Sequence, residues 1–97
     1  MTVYALAQFT ITDPTAYSRY QSRFPEVFNN HQGTLLAADD SPTTIEGGYP
    51  HQKAVLLSFP TREAFEDWSQ SAEYQEISQD RQAGTTGVVV LLNGIGP

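Results

Sequence analysis

Lys53-Ala54-Val55-Leu56-Leu57-Ser58-Phe59 is the stretch on which the fold turns. At a period of two, Val55, Leu57 and Phe59 fall on one side and Ala54 and Leu56 on the other, so both sides are apolar. Such a strand is covered on both faces and belongs in the middle of a sheet. The rest of the chain supplies its neighbours. Val3, Ala5, Ala7, Phe9 and Ile11 alternate with Tyr4, Leu6, Gln8 and Thr10, which predicts a first strand. Thr34 to Ala38 predicts a second strand and Val88 to Leu92 a fourth. After a break at Asp39-Asp40-Ser41-Pro42, Thr43 to Glu46 is expected to resume extended, as in a bulged or bent strand. Gly47-Gly48-Tyr49-Pro50 then turns the chain.

Between the strands the spacing becomes helical. Asp13-Pro14 offers a capping carboxylate and a residue whose missing N–H costs nothing at a helix start. Tyr17, Tyr20, Phe24, Val27, Phe28 and His31 then step by three or four, and Gly33 is expected to end the helix. Pro25 lies inside this pattern, which predicts a kink or break near Gln21 to Phe24. Thr61 caps a second helix with Ala64, Phe65 and Trp68 on its apolar stripe. Ser71 caps a further helical piece that runs to Gly84 and places Tyr74, Ile77, Ser78 and Arg81 on one stripe.

Strand, helix, strand, strand, helix, strand is the split arrangement of the ferredoxin-like α+β fold, here a βαββαβ subunit with a four-stranded antiparallel sheet and its helices on one face. The other face is apolar on strands three and four, and left in water it would form a patch too large for a monomer. A second copy packed sheet to sheet is the expected cover, giving a homodimer and a dimeric α+β barrel.

The chain has 97 residues, matching a single domain over 1–97. Its net charge of −6 disfavours nucleic acid and anionic lipid as partners. With no cysteine there is neither a disulfide framework nor thiolate chemistry, and no apolar run is long enough for a membrane span. A cytoplasmic location is the default expectation. The sequence contains no nucleophile elbow, P-loop or dinucleotide fingerprint, and no second histidine at ligand spacing, so no metal or cofactor is expected.

The opening Val3-Tyr4 strand, Thr12-Asp13-Pro14 with Tyr17, His31-Gln32-Gly33, Ile45-Glu46-Gly47, Phe59-Pro60 with Ala64 and Trp68, and Ser71-Ala72-Glu73-Tyr74-Gln75 leading to Arg81 form a pattern over nearly the whole chain. It resembles the domain-of-unknown-function family numbered 1330, within the dimeric alpha-beta barrel group. Gln32-Gly33 departs from the Gly-Gly that often follows the family's histidine. The resemblance implies a ferredoxin-like subunit, a sheet-to-sheet dimer and a small pocket between sheet and helices. It implies no reaction, because the wider structural relatives range over cofactor-free oxygenases, haem-handling enzymes and small isomerases.

Five residues are candidates for the site: His31, Glu46 and Arg81 for charge or proton transfer, Trp68 and Tyr74 for ligand contact. His31, at the end of the first helix, either answers the helix dipole or acts as a general acid or base. His51 reads as a surface residue. Glu46 is either a solvated turn residue or the partner of Arg81 in a charge-assisted pair. Arg81 either faces the negative end of its own helix or stands in a cavity as a fixed cation that selects an anion. Trp68 and Tyr74 are core residues by default, each with a polar atom that can serve a cavity. Three functions are compatible with this set. One is a pocket for a small aromatic or anionic molecule, with or without acid–base or cofactor-free oxygenase-like chemistry. The second is a noncatalytic structural or regulatory dimer with a vestigial pocket. The third, haem binding through His31, rests on that one residue.

Overall fold

The structure, a computed structural model, describes residues 1–96. The elements are β1 (Val3–Ile11), α1 (Pro14–Phe28), β2 (Thr34–Asp39), β3 (Lys53–Phe59), α2 (Arg62–Ser69), α3 (Ala72–Gly84) and β4 (Thr85–Asn93). The strands form one antiparallel sheet in the order β2-β3-β1-β4. The doubly apolar strand β3 is therefore internal, as its pattern requires. This is the ferredoxin-like α+β arrangement, with the second helical segment divided at Gln70 and Ser71.

The register fixes which residues meet. Val3, Ala5 and Phe9 of β1 and Leu57 and Phe59 of β3 are buried, with Tyr17, Tyr20, Val27 and Phe28 of α1, Trp68 of α2 and Tyr74 and Ile77 of α3 in the same core. All three helices therefore cover one face. On the opposite face, Leu56 of β3 pairs with Leu6 of β1 and Leu6 with Val90 of β4, an apolar row across three strands. Val88, Val90 and Leu92 are 44–48% exposed there.

Helix α1 starts as its cap predicts: the Asp13 carboxylate accepts from the amides of Thr15 and Ala16 at 3.1 and 3.3 Å, and Pro14 follows. Its end differs from expectation. No break occurs near Gln21 to Phe24, because Pro25 lies in the last turn, where the single hydrogen bond it removes has few others depending on it. The helix stops at Phe28 rather than near Gly33, and His31 sits in the bend beyond it, its amide bonded to the Phe28 carbonyl at 3.1 Å. Gly33 explains the tight exit. A Cβ there would lie 2.4 Å from the Phe28 ring and 2.7 Å from that of Phe59, so the backbone runs directly over two core aromatics.

Strand β2 also departs from the sequence reading. Its irregularity falls between Leu35 and Ala37, and Thr43 to Glu46 forms no strand. The Asp39 carboxylate accepts from the Ser41 amide at 2.9 Å, a local turn that takes the chain off the sheet edge. Ile45 and Glu46 are consequently exposed in the loop between β2 and β3. Among the described residues no helix is long and apolar enough to cross a membrane.

Candidate functional site

Ala5 and Ala7 face the helices from the central strand β1, and such short side chains leave the middle of the sheet underfilled. The space above them is a cavity of about 450 Å³. Tyr17, Tyr20 and Phe24 from α1 wall one side, and Trp68, Tyr74 and Arg81 from α2 and α3 the other. Val55 and Leu57 extend the floor, and Lys53 lies at the start of β3 opposite Phe9.

Ser71 holds one wall in place. Its hydroxyl accepts from the Tyr74 amide at 3.1 Å and donates to the Trp68 carbonyl at 2.8 Å, locking the junction of α2 and α3. The two rings it positions have centroids 4.2 Å apart. Tyr74 then reaches across to α1, where its hydroxyl lies 3.0 Å from that of Tyr20. Burial raises the Tyr20 pKa far above the ordinary phenol value, helped by Tyr74 and only partly opposed by the positive charge of Arg81. Tyr20 is thus a protonated phenol at any physiological pH.

Arg81 lies in the last turn of α3, but among the described residues its guanidinium makes no hydrogen bond to the carbonyls there. Its carbonyl is satisfied by the Thr85 hydroxyl at 2.7 Å, while its guanidinium carbon stands 5.4 Å from the centre of the Phe9 ring. No carboxylate or hydrogen-bond acceptor within the described residues meets the guanidinium, and its Nε is buried without a partner. The indole Nε1 of Trp68 is in the same condition. A guanidinium in this position offers its remaining donors and its charge to the cavity.

Lys53 is the second cation, and sequence reasoning missed it. Its side chain is only 7% exposed, its ammonium lies 5.3 Å from the Tyr17 ring centre, and it pairs with the solvent-facing Asp40 at 3.0 Å. Burial alone would lower its pKa, but Asp40 and Tyr17 outweigh that and leave it above the ordinary 10.5. The available signal was the phase of β3: Lys53 shares the side of Val55, Leu57 and Phe59 and so had to point under the helices. Tyr20 was legible only as a stripe residue of α1, with nothing in the sequence to mark its hydroxyl partner.

The five candidates divide. Trp68, Tyr74 and Arg81 come together at the cavity. His31 lies outside the lining, its Nε2 2.8 Å from the Glu73 carboxylate. Glu46, exposed in the β2–β3 loop, meets neither the cavity nor Arg81. The pairing of Glu46 with Arg81 is therefore absent, because the segment that was to carry the carboxylate to the sheet leaves it instead. Among the described residues there is no group of three or more His, Asp or Glu placed to hold a metal ion.

A family described as a domain of unknown function, DUF1330, matches residues 2–95. The chain belongs to that family. Its relatives among solved structures have the same fold at low identity. A protein of unknown function from Rhodopseudomonas palustris is 17% identical with a TM-score of 0.78, covering 99% of this chain and 84% of its own. SnoaB, a cofactor-independent oxygenase from Streptomyces nogalater, is 13% identical with a TM-score of 0.69, covering 99% of this chain and 95% of its own. A dimeric ferredoxin-like protein of unknown function from Jannaschia is 13% identical with a TM-score of 0.71, covering 97% of this chain and all of its own. No curated protein is significantly similar to this DUF1330 chain. At these identities the likeness is one of fold, and function has to be argued from the cavity.

Proposed function

We propose that this DUF1330 protein binds a small aromatic anion in the cavity between its sheet and helices, with Arg81 as the counter-ion and Trp68 and Tyr74 as ring contacts. One observation carries the reading: a guanidinium without a carboxylate faces a cavity whose walls are aromatic. An uncompensated charge in such a place is costly to the empty protein, and a bound anion offsets that cost. The volume of about 450 Å³ lies in the range of small-molecule sites. Acid–base catalysis by His31 or Glu46 has little support from their positions, so binding is the function and turnover is not required. The likeness to SnoaB brings oxygenase chemistry in only as an assay on any ligand found.

The second copy belongs to the same proposal. The row Leu56, Leu6 and Val90, flanked by Val88 and Leu92, is the surface that a twofold partner would cover, and one structural neighbour is described as dimeric.

Trp68 is the one tryptophan of the chain and stands in the cavity wall, so its fluorescence reports occupancy. Aromatic carboxylates and phenols should quench it at lower concentration than their neutral counterparts. Arg81→Gln should weaken the anions about 10- to 100-fold, the range for a charge-assisted hydrogen bond, while leaving neutral analogues unchanged. Equal affinity for charged and neutral compounds would refute the role given to Arg81.

A further inference from the structure

We propose that the ligand group held beside Arg81 is an ionisable oxygen attached directly to an aromatic ring, a phenol or a cyclic enol, bound as its anion and met by one hydroxyl proton of the Tyr20–Tyr74 pair. This rests on the reading that the cavity takes an aromatic anion and names the chemical class. Proton counting supplies the argument. Two phenols carry two hydroxyl hydrogens, and the 3.0 Å contact between their oxygens uses one of them. Whichever tyrosine donates, the hydrogen of the other has no protein acceptor among the described residues. Tyr20 and Tyr74 are 7% and 8% exposed, and both line the cavity. A buried phenol with a spare proton needs an acceptor, and the cavity is where one can come from.

The neighbouring charges say what kind of acceptor. Arg81, Tyr20 and Tyr74 line the same cavity, so the guanidinium and the spare proton are both offered to one space. Lys53, the other cation of the lining, is already paired with Asp40. Aromatic surface continues up to both cations, with Phe9 under the guanidinium and Tyr17 under the ammonium. A ligand lying against those rings brings its charged atom to Arg81 most directly when that atom is bonded to its own ring. A ring oxygen meets this condition, and its acidity rises when donors and a cation are waiting for the anion. Lys53 and Tyr20 are both held protonated, and the other polar lining groups are the Arg81 guanidinium, the Trp68 indole, amides and hydroxyls, none of them a base. The ligand's proton is therefore released to bulk water, leaving the electron pair on the ring oxygen.

The test uses 4-nitrophenol, whose anion has its own visible absorption band, with benzoate as a second probe and Trp68 quenching as the measure of binding. Bound nitrophenol should show an apparent pKa at least about one unit below its value in buffer. The double variant Tyr20→Phe/Tyr74→Phe should still bind it while losing most of that shift. If the double variant does not fold, the single variants serve, and one of them should lose about tenfold in the ionisation constant. Quenching without a shift in the nitrophenol band, or a shift that survives in the tyrosine variants, would overturn the proposal. So would binding of benzoate without binding of nitrophenol, which leaves the aromatic-anion reading standing. Binding of neither probe removes both.

Discussion

Replacing Arg81 by Met should make the empty protein more stable and a poorer binder. The guanidinium keeps its charge in a partly buried place, with Nε fully buried and unpaired. An unsatisfied buried donor costs about 1–3 kcal/mol. The Phe9 face, 5.4 Å away, returns about 0.5–1 kcal/mol through the cation–ring attraction. Methionine removes the unpaired donor, keeps most of the aliphatic volume and adapts to the ring surface. The balance favours the variant by about 1 kcal/mol, a rise in melting temperature of roughly 4–8 °C for a domain of this size. Thermal unfolding followed by circular dichroism in ligand-free buffer reads it directly. The alternative role for Arg81, a structural ion pair, predicts the opposite sign, because removing one member of a buried pair destabilises by about 3–5 kcal/mol. An Arg81→Met protein that melted well below the parent would refute the unpaired-cation argument.

Gly33→Ala should lower stability by roughly 1–3 kcal/mol, since the new methyl would lie 2.4 Å from the Phe28 ring and 2.7 Å from that of Phe59 and the core must shift; urea titration measures the loss. Val90→Lys places a charge between Val88 and Leu92 on the apolar face of the sheet and should yield single subunits by analytical ultracentrifugation, with the helix-side cavity intact. A Val90→Lys protein that still paired would move the interface elsewhere. Tyr20 and Lys53 have folded-state pKa values raised above their ordinary 10.0 and 10.5. Their protonated forms favour the fold, so this stability is complete below about pH 10 and is lost as pH climbs through the raised values. Tyr20→Phe should flatten the alkaline fall in melting temperature, and parallel curves for both proteins would exclude the phenol as its cause.

The elements were legible where one pattern governed a whole segment. The two-sided apolar run of Lys53 to Phe59 required an internal strand, and Asp13-Pro14, Thr61 and Ser71 each cap a helix where chemistry expects one. Two boundaries went astray because a distant contact overrode local spacing. His31 continues the helical phase of Phe24 and Phe28, yet the passage of Gly33 over two aromatic rings ends the helix earlier. Thr43 to Glu46 has a composition that suits a strand, but hydrogen bonds to a neighbouring strand decide, and the Asp39 turn takes the segment away from the edge. Trp68, Tyr74 and Arg81 each sit on a readable stripe, which put all three on inward faces but left Arg81 open between the helix end and a cavity. Glu46 could not be placed, since loops carry no periodicity. Lys53 escaped for another reason: a lysine at the start of a strand reads as solvated, although its parity points it inward.

The cavity floor and the exposed row of the sheet are made by consecutive residues of the same strands. Ala5 and Ala7 look up towards the ligand space while Leu6 between them looks away, and Val55 and Leu57 bracket Leu56 in the same manner. Any bend or widening of these strands alters both sides at once. Chemical selectivity in such a scaffold can therefore be retuned freely only from the roof, where the helices contribute Gln21, Phe24, Gln75 and Gln82 to the lining and owe nothing to the far side.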